Sequence, residues 1–278
     1  MEVTILKVDG DKASFILRGA DPAMANALRR AMIAEVPTMA IDDVMILENT
    51  SPMYDEILAH RLGLVPLTTD LDSYNLPEEC SCGAELGCSK CRATLTLEAE
   101  AAGEAKTIYS RDLEPQDPAI HPVSPGIPLV KLAPGQKVKL EAYARLGRGR
   151  EHAKWQPVSV CAYKYYPIIA VDDKICDACG ICAEYCPKGI LAVEEGKLRV
   201  TDELKCTMCN ECARHCPKNP PAIRISWDDT AFIFNVESTG SLKIERIVLE
   251  AARILTGKLE TLKELMSNKL EEELDEEA

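Results

Sequence analysis

Eight cysteines fall into two runs of the same spacing, and they are the residues best suited to chemistry in this sequence. The first run, CDACGICAEYCP, begins at Cys176, and the second, CTMCNECARHCP, begins at Cys206. Both read C-x2-C-x2-C-x3-C-P, in which three thiolates hold one [4Fe–4S] cubane and the fourth binds the other. The spacing therefore predicts two [4Fe–4S] clusters. Their predicted ligands are Cys176, Cys179, Cys182 and Cys216 for cluster 1, and Cys206, Cys209, Cys212 and Cys186 for cluster 2.

Zinc and disulfides are the alternatives for these eight thiols. Zinc usually takes paired C-x2-C knuckles, so two complete runs that both end in proline favour iron and sulfur. Disulfides are typical of exported chains, and nothing marks this chain for export. His215, beside Cys216, could also be a ligand, but every cluster corner already has a thiolate, which favours a surface histidine.

A third group of cysteines lies in CSCGAELGCSKC, within residues 80–91. Four thiolates this close together can close a tetrahedral zinc site, although C-x-C is tighter than the usual knuckle. We predict one Zn²⁺ rather than an empty or oxidised loop. Its ligands would be Cys80, Cys82, Cys88 and Cys91. Cys161 lies in an apolar run and is predicted to be a buried thiol.

Composition and charge exclude several classes of protein. At 278 residues the chain is long enough for two or three compact units. Its net charge is −13, and residues 259–278 carry much of it, which argues against direct nucleic-acid binding by this chain. No apolar run approaches the roughly 20 residues of a membrane helix, and the first residues lack the features of a secretory signal. We therefore expect no membrane contact and a cytoplasmic location.

Two short patterns open the chain. Alternating apolar residues on both sides of DGDK predict a hairpin of strands 3–8 and 13–18. A helix follows, with Asp21 as N-cap, Pro22 at its first position and Pro37 beyond its end. Another helix is expected within residues 54–63. The rest of the chain up to Pro167 reads as short strands separated by turns, as does DTAFIFNVEST further on.

The chain closes on a long amphipathic helix that begins near Ser241. A helix of roughly 30 residues reaches about 45 Å, too far for one small domain to cover. We therefore expect part of its apolar stripe to pack on another chain. The stripe consists of Ile244, Val248, Ala251, Leu255, Leu259, Leu262 and Met266.

Four stretches resemble the α-like assembly subunits of cellular RNA polymerases. They are NALRRAMIAEVPTMAIDDV (26–44), HRLGLVPL (60–67), HAKWQPVSVCAYKYYP (152–167) and FNVESTGSL (234–242). They follow the family's order and cover both ends and much of the middle of the chain. With its ferredoxin-like insertion, the sequence is most similar to archaeal members of that family.

The resemblance implies an α+β fold in three parts. Residues 1–40 and 227–278 would form a discontinuous dimerisation domain, and residues 41–167 an inserted α+β domain with the cysteine-rich loop 80–91. Residues 168–226 would form a ferredoxin-like iron–sulfur domain. In this family the dimerisation domain pairs with a smaller homologous subunit, called L in archaea. That heterodimer is the platform for the large catalytic subunits, and the α-like chain itself is noncatalytic.

The resemblance also assigns partner contacts. Arg29 and Arg30 match the family's ALRR motif, and His60 and Arg61 lie in its second motif, so all four are expected to face a large subunit. A competing interpretation is a ferredoxin-like electron-transfer subunit of an oxidoreductase. It would account for residues 168–226, but it leaves the flanking motifs and the long helix without a role.

Overall fold

The computed structural model describes residues 1–84 and 87–276, with side chains described up to Lys269. The acidic side chains of the last residues lie outside this part. Strands, in chain order, are β1 (Glu2–Asp9), β2 (Lys12–Arg18), β3 (Pro37–Asn49), β4 (Arg92–Glu100), β5 (Lys106–Tyr109), β6 (Glu114–Pro115), β7 (Pro128–Leu132), β8 (Lys137–Arg148), β9 (Val158–Val171), β10 (Leu191–Glu194), β11 (Lys197–Val200) and β12 (Ile223–Ser238). The α-helices are α1 (Pro22–Ala34), α2 (Asp55–Gly63), α3 (Ile181–Glu184), α4 (Glu211–Arg214) and α5 (Ile244–Glu276). Single 3-10 turns lie at Pro77–Glu79, Ser110–Asp112, Ala153–Trp155 and Glu203–Lys205.

The predicted hairpin and helices are confirmed. β1 and β2 are hydrogen-bonded neighbours on either side of the DGDK turn. α1 begins at Pro22, and the Asp21 carboxylate accepts a hydrogen bond from the Met24 backbone N–H at 2.7 Å. This satisfies one of the N–H groups that a helix start leaves without an intrahelical partner. α2 occupies the predicted segment, and the mixed α+β class is confirmed, with antiparallel pairing within the sheets.

The chain divides into two compact units, of which the first comprises Met1–Leu6, Ser14–Ala25 and Tyr163–Phe234. Here β1, β2, β12 and β9 lie side by side in that order, and the hairpin β10–β11 lies within the cysteine-rich segment. Aromatic rings pack within this unit: Phe15 stacks on Phe234 with 5.0 Å between centroids, and Tyr163 meets the same ring at 5.3 Å. A separate cluster of buried side chains, which includes Ile190, Leu198 and Ile223, lies in the cysteine-rich segment.

The second unit contains the rest of the described chain and is built on the sheet β3–β8–β4–β6. Alternate residues of β4 and β8 are buried, as the sequence alternation predicts for a sheet with one covered face. Leu95, Leu97 and Leu140 form the centre of the core, and Leu58 and Leu62 of α2 pack into it. β5 and β7 form a separate antiparallel pair.

α5 changes character along its length. Ile244, Ile247 and Ala251 are buried in the second unit, whereas Leu259 is 67% exposed, Leu262 52% and Met266 57%. At 1.5 Å per residue, its 33 residues extend about 50 Å. The distal half of the predicted stripe is therefore uncovered within this chain. None of the described helices is both long and apolar enough to cross a membrane.

Candidate metal centres

Three cysteines of the first run line a small cavity in the first unit. Three of its thiols come from that run, and the fourth comes from the end of the second run. Apolar groups, Leu198 and Ile223 among them, complete the lining. The thiols of this cavity are Cys176, Cys179, Cys182 and Cys216. The structure thus brings together the four residues that the spacing assigns to cluster 1.

A second small cavity has an equivalent lining. Its lining contains three thiols of the second run and one of the first, with Ile169, Ile190, Leu191 and Ile225. These thiols are Cys206, Cys209, Cys212 and Cys186. The fourth cysteine of each run therefore lines the cavity that the first three cysteines of the other run line.

The backbone repeats with the sequence. Ala178 and Met208, which occupy equivalent places in the two runs, have φ of 55° and 56°, and Gly180 and Asn210 have φ of 81° and 65°. A side chain in this left-handed region costs about 1 kcal/mol or more, so the conformation persists only where its surroundings demand it. Each run then enters a single helical turn, α3 or α4, that carries its third cysteine. The two cysteine runs therefore share the same backbone conformation at these positions.

The spacing of the thiols differs between the two cavities and the loop near residue 80. All thirteen cysteines are free thiols. Among the described residues, one group of metal-ligand atoms lies entirely within 4.8 Å, and it is the loop near residue 80 rather than either cavity. A tetrahedral zinc with 2.3 Å bonds to sulfur would need thiols about 3.8 Å apart. The four thiols of each cavity do not lie this close together.

Backbone amides face two of the cavity sulfurs. The Met208 N–H donates to Cys206 Sγ at 3.4 Å, and the Ala222 N–H donates to Cys216 Sγ at 3.4 Å. Burial raises the pKa of the Cys212 thiol to about 11 and also raises the pKa of Cys182. Thiolate formation at these positions is therefore unfavourable unless a metal compensates, since coordination deprotonates a thiol.

Lysines complete the surroundings of both cavities. Lys218, two residues after Cys216, forms an ion pair with Asp177 at 2.6 Å. Lys164 of β9 donates to the backbone carbonyl oxygens of Leu204 at 2.6 Å and Cys206 at 2.7 Å. Lys164 thus connects the residues at the start of the second run to β9 of the same unit. The sequence did not indicate this contact.

The loop near residue 80 has the geometry of a single-ion site. The Sγ atoms of Cys80 and Cys88 are 3.8 Å apart, those of Cys82 and Cys91 are 3.8 Å apart, and those of Cys88 and Cys91 are 3.9 Å apart. These separations match the edge of about 3.8 Å expected for a zinc tetrahedron. All four Sγ atoms, including those of the C-x-C pair, lie within 4.8 Å of one another, so this spacing does not keep the four thiols apart. Residues 85 and 86 of this loop lie outside the described part of the chain.

Electrostatics in this loop favour one thiolate in particular. The backbone N–H of Lys90 donates to Cys88 Sγ at 3.4 Å and lowers the pKa of that thiol to about 7. Burial raises the pKa of Cys91, the most buried of the four. The Cys88 N–H nevertheless points at Cys91 Sγ, at 3.1 Å, as in a knuckle that stabilises a coordinated sulfur.

The four predicted contact residues lie in the second unit. Arg29 is half-buried, and its Nε and Nη2 donate to Asn26 Oδ1 at 3.1 and 2.9 Å, whereas Arg30 is exposed. His60 and Arg61 lie on the exposed side of α2, where Arg61 donates to the Pro128 carbonyl oxygen at 2.7 Å. No hydrogen bond or ion pair of the described residues joins the α1 arginines to this α2 pair. Their role as contacts with a large subunit stays a prediction.

Sequence reasoning missed two kinds of residue near the cavities. The Lys164 contact joins positions far apart in the chain, and no local pattern points to it. The Asp177–Lys218 pair, in contrast, could have been found from the predicted ligand exchange, because these residues follow Cys176 and Cys216, which are assigned to the same cluster.

Comparison with known proteins identifies the family. Residues 14–259 match the RNA polymerase Rpb3/Rpb11 dimerisation domain. The chain is 45% identical to DNA-directed RNA polymerase subunit Rpo3 of Methanosarcina acetivorans, over 94% of this chain and 97% of that protein. It is 46% identical to Rpo3 of Archaeoglobus fulgidus, over 95% and 97%, and 36% identical to Rpo3 of Aeropyrum pernix, over 96% and 95%. This chain belongs to the Rpo3 family of archaeal DNA-directed RNA polymerase subunits, the archaeal α-like subunits also called D.

Proposed function

We propose that this chain is the noncatalytic assembly subunit of an archaeal DNA-directed RNA polymerase. It pairs with the smaller L subunit, and the heterodimer is the platform for the large catalytic subunits. The observation that carries the proposal is the exposed end of α5, where Leu259 closes the segment that matches the dimerisation domain and Leu262 and Met266 lie uncovered beyond it. An apolar stripe of this kind requires a partner because water would otherwise surround it.

The domain bounds predicted from the sequence remain part of this proposal. Residues 1–40 and 227–278 form the dimerisation domain, residues 41–167 the inserted domain, and residues 168–226 the ferredoxin-like domain. The Asp172 N–H donates to the Ala222 carbonyl oxygen at 2.8 Å, so the chain leaves the sheet and returns to it at adjacent residues. This closure supports an inserted module.

Two [4Fe–4S] clusters are the cofactors that best fit the two thiol-lined cavities. The ligand sets are those named above, with each fourth cysteine supplied by the other run. The residues of this chain supply thiolates, backbone N–H donors and an apolar lining. When bound, the clusters would supply one-electron redox chemistry. Their ligation would also join the two runs, so we propose that cluster binding stabilises the fold of residues 168–226.

A zinc ion is proposed for the loop near residue 80. The 3.8 to 3.9 Å spacing of its sulfurs and the N–H groups directed at Cys88 and Cys91 support this assignment. All four positions would be thiolates, which closes the coordination shell and makes the site structural rather than catalytic. We propose that it stabilises the inserted domain.

The relatives do not support the alternative of an oxidoreductase subunit. Their similarity spans 94% or more of this chain in the three proteins compared, whereas that alternative accounted for residues 168–226 alone. The flanking motifs and α5 have a role in a polymerase subunit and none in a free electron carrier.

The proposal is tested with a variant in which residues 173–221 are replaced by a two-residue turn. The hydrogen bond between Asp172 and Ala222 makes this replacement geometrically feasible. The intact chain, purified anaerobically with L, should form a one-to-one complex containing about eight irons. The variant should form the same complex without iron. Failure of the intact chain to pair with L in native mass spectrometry would contradict the assembly role.

A further inference from the structure

The repeat allows the charges around the two cavities to be compared position by position. Asp177 follows the first cysteine of its run, and Thr207 occupies the equivalent place in the second run. Lys188 and Lys218 each lie two residues after the fourth cysteine of their runs, so both positions carry a lysine. The exchange of the fourth cysteine places Lys218 beside the first cavity and Lys188 beside the second.

The first cavity has a neutralised cation. Lys218 and Asp177 both line it, and they form an ion pair at 2.6 Å. They are the only charged residues of its lining within the described chain. The net charge that this lining presents to a bound cluster is therefore close to zero.

The lysines at the second cavity differ from Lys218 because they form no ion pair among the described residues. Lys188 is the only charged residue that lines it in the described part of the chain, since Thr207 replaces the aspartate. Lys164 lies beyond the lining and directs its ammonium at the carbonyl oxygens of Leu204 and Cys206. Neither lysine forms an ion pair with any carboxylate of the described residues. Asp202 interacts electrostatically with Lys164, but its carboxylate forms an ion pair with Lys205 at 3.0 Å. Two lysines therefore act on this cavity, and its described lining holds no carboxylate.

These charges affect reduction because a thiolate-ligated cluster is anionic and becomes more negative on accepting an electron. A nearby cation favours the reduced state, and an ion-paired cation does so much less. We propose that the two clusters have different reduction potentials and that cluster 2, held by Cys206, Cys209, Cys212 and Cys186, accepts the first electron. This inference rests on the proposed two-cluster function and assigns an order to its redox chemistry.

One difference between the cavities acts in the opposite direction. Cys206 is buried whereas its equivalent, Cys176, is half-buried, and burial opposes an added negative charge. The other ligands match in pairs: Cys182 and Cys212 are buried, Cys179 and Cys209 exposed, and Cys186 and Cys216 half-buried. Each cavity also has one amide N–H directed at a ligand sulfur. The two lysines are therefore the larger asymmetry.

The test is an anaerobic redox titration of the complex with L, with dithionite as the electron donor and electron paramagnetic resonance as the readout. Each cluster takes up one electron. The unmodified protein should give two midpoint potentials. Thr207→Asp, which supplies the missing carboxylate beside Lys188, should lower only the higher midpoint. Asp177→Thr should raise only the lower one. Each change should alter the ratio of reduced to oxidised cluster about tenfold at fixed potential, or 59 mV for one electron.

Two further variants separate charge from other effects. Lys164→Met should lower the higher midpoint, whereas Lys197→Met, a charge loss on the exposed hairpin of the same unit, should leave both unchanged. A single midpoint for both clusters, or a Thr207→Asp effect on the lower midpoint, would overturn the inference while leaving the two-cluster proposal intact. An iron content near four per chain would instead contradict the two-cluster proposal itself, and the assignment of an order with it.

Discussion

The ring of Tyr185 stacks on the ring of His215, with 3.8 Å between centroids and 6° between planes. The two residues occupy equivalent positions in the two cysteine runs, each directly before the fourth cysteine. Those cysteines, Cys186 and Cys216, are the ones that reach into the other run's cavity. The stack therefore joins the two points at which the chain crosses between the proposed clusters.

Loss of this stack should speed the release of iron from both proposed clusters. An aromatic pair contributes about 1 kcal/mol beyond the area it buries, so Tyr185→Ala should accelerate chelator-driven iron release several-fold. Tyr185→Phe keeps the ring and should behave as the unmodified protein. Absorbance at visible wavelengths during anaerobic incubation with an iron chelator measures the rate. Equal rates for the alanine and phenylalanine variants would show that the ring does not hold the crossing points together.

The grouping of four thiols around each cavity could be predicted from the sequence, because a motif that binds a cubane keeps three of its cysteines close together in the chain. Three thiols of each run lie within seven residues, and a proline directly follows the fourth cysteine of each run. The helix start at Asp21 was predictable for the same reason, since a cap involves only the next three residues. Features formed by residues that are close together in the chain can therefore be predicted from the sequence.

The remaining features depend on contacts between distant segments. Lys164 donates to the carbonyl oxygen of Cys206 only because β9 lies against the segment before the second run. The sequence around this lysine, which is rich in tyrosine, does not indicate the contact. The distances between the four sulfurs of the loop near residue 80 could not be predicted from the irregular spacing of its cysteines either. These distances depend on how the loop folds, which brings the Sγ atoms of Cys82 and Cys91 to 3.8 Å from each other.

The zinc proposal predicts a sharp difference between cysteines of the second unit. Cys91→Ser should reduce zinc content to well below one per chain and destabilise the inserted domain, because a closed structural site needs all four thiolates. Cys161→Ser is the matched control. The Cys161 thiol lies 3.9 Å from the Arg29 carbonyl oxygen, outside the four-thiol group, so zinc should be retained. Metal analysis by mass spectrometry after dialysis measures both. Full zinc content in Cys91→Ser would contradict a Cys₄ site.

The close approach of β8 to the end of α1 predicts a position where no side chain is tolerated. A Cβ atom on Gly149 would overlap the carbonyl oxygen of Ile33, and backbone atoms cannot move aside easily. Gly149→Ala should lower the free energy of unfolding by about 2 kcal/mol. Gly103→Ala has open space around its Cβ and should change it little. Thermal unfolding by circular dichroism compares the two, and equal melting temperatures would contradict this packing.

The exposed half of α5 leads to a prediction about pairing with L. Leu262→Glu places a charge in the apolar stripe, and a buried unpaired charge costs several kcal/mol. The heterodimer should therefore weaken by a hundredfold or more. Glu264→Lys changes charge about 160° around the helix from Leu262 and should leave affinity nearly unchanged.

Sedimentation of the chain with L measures both variants, and circular dichroism of each chain alone verifies that α5 still forms. The comparison separates an interface from general surface effects because both substitutions alter charge on the same exposed helix. If Leu262→Glu pairs as tightly as Glu264→Lys, the partner does not cover the stripe beyond Leu255. The heterodimer would then depend on other apolar surface, and the length of α5 would need a different explanation.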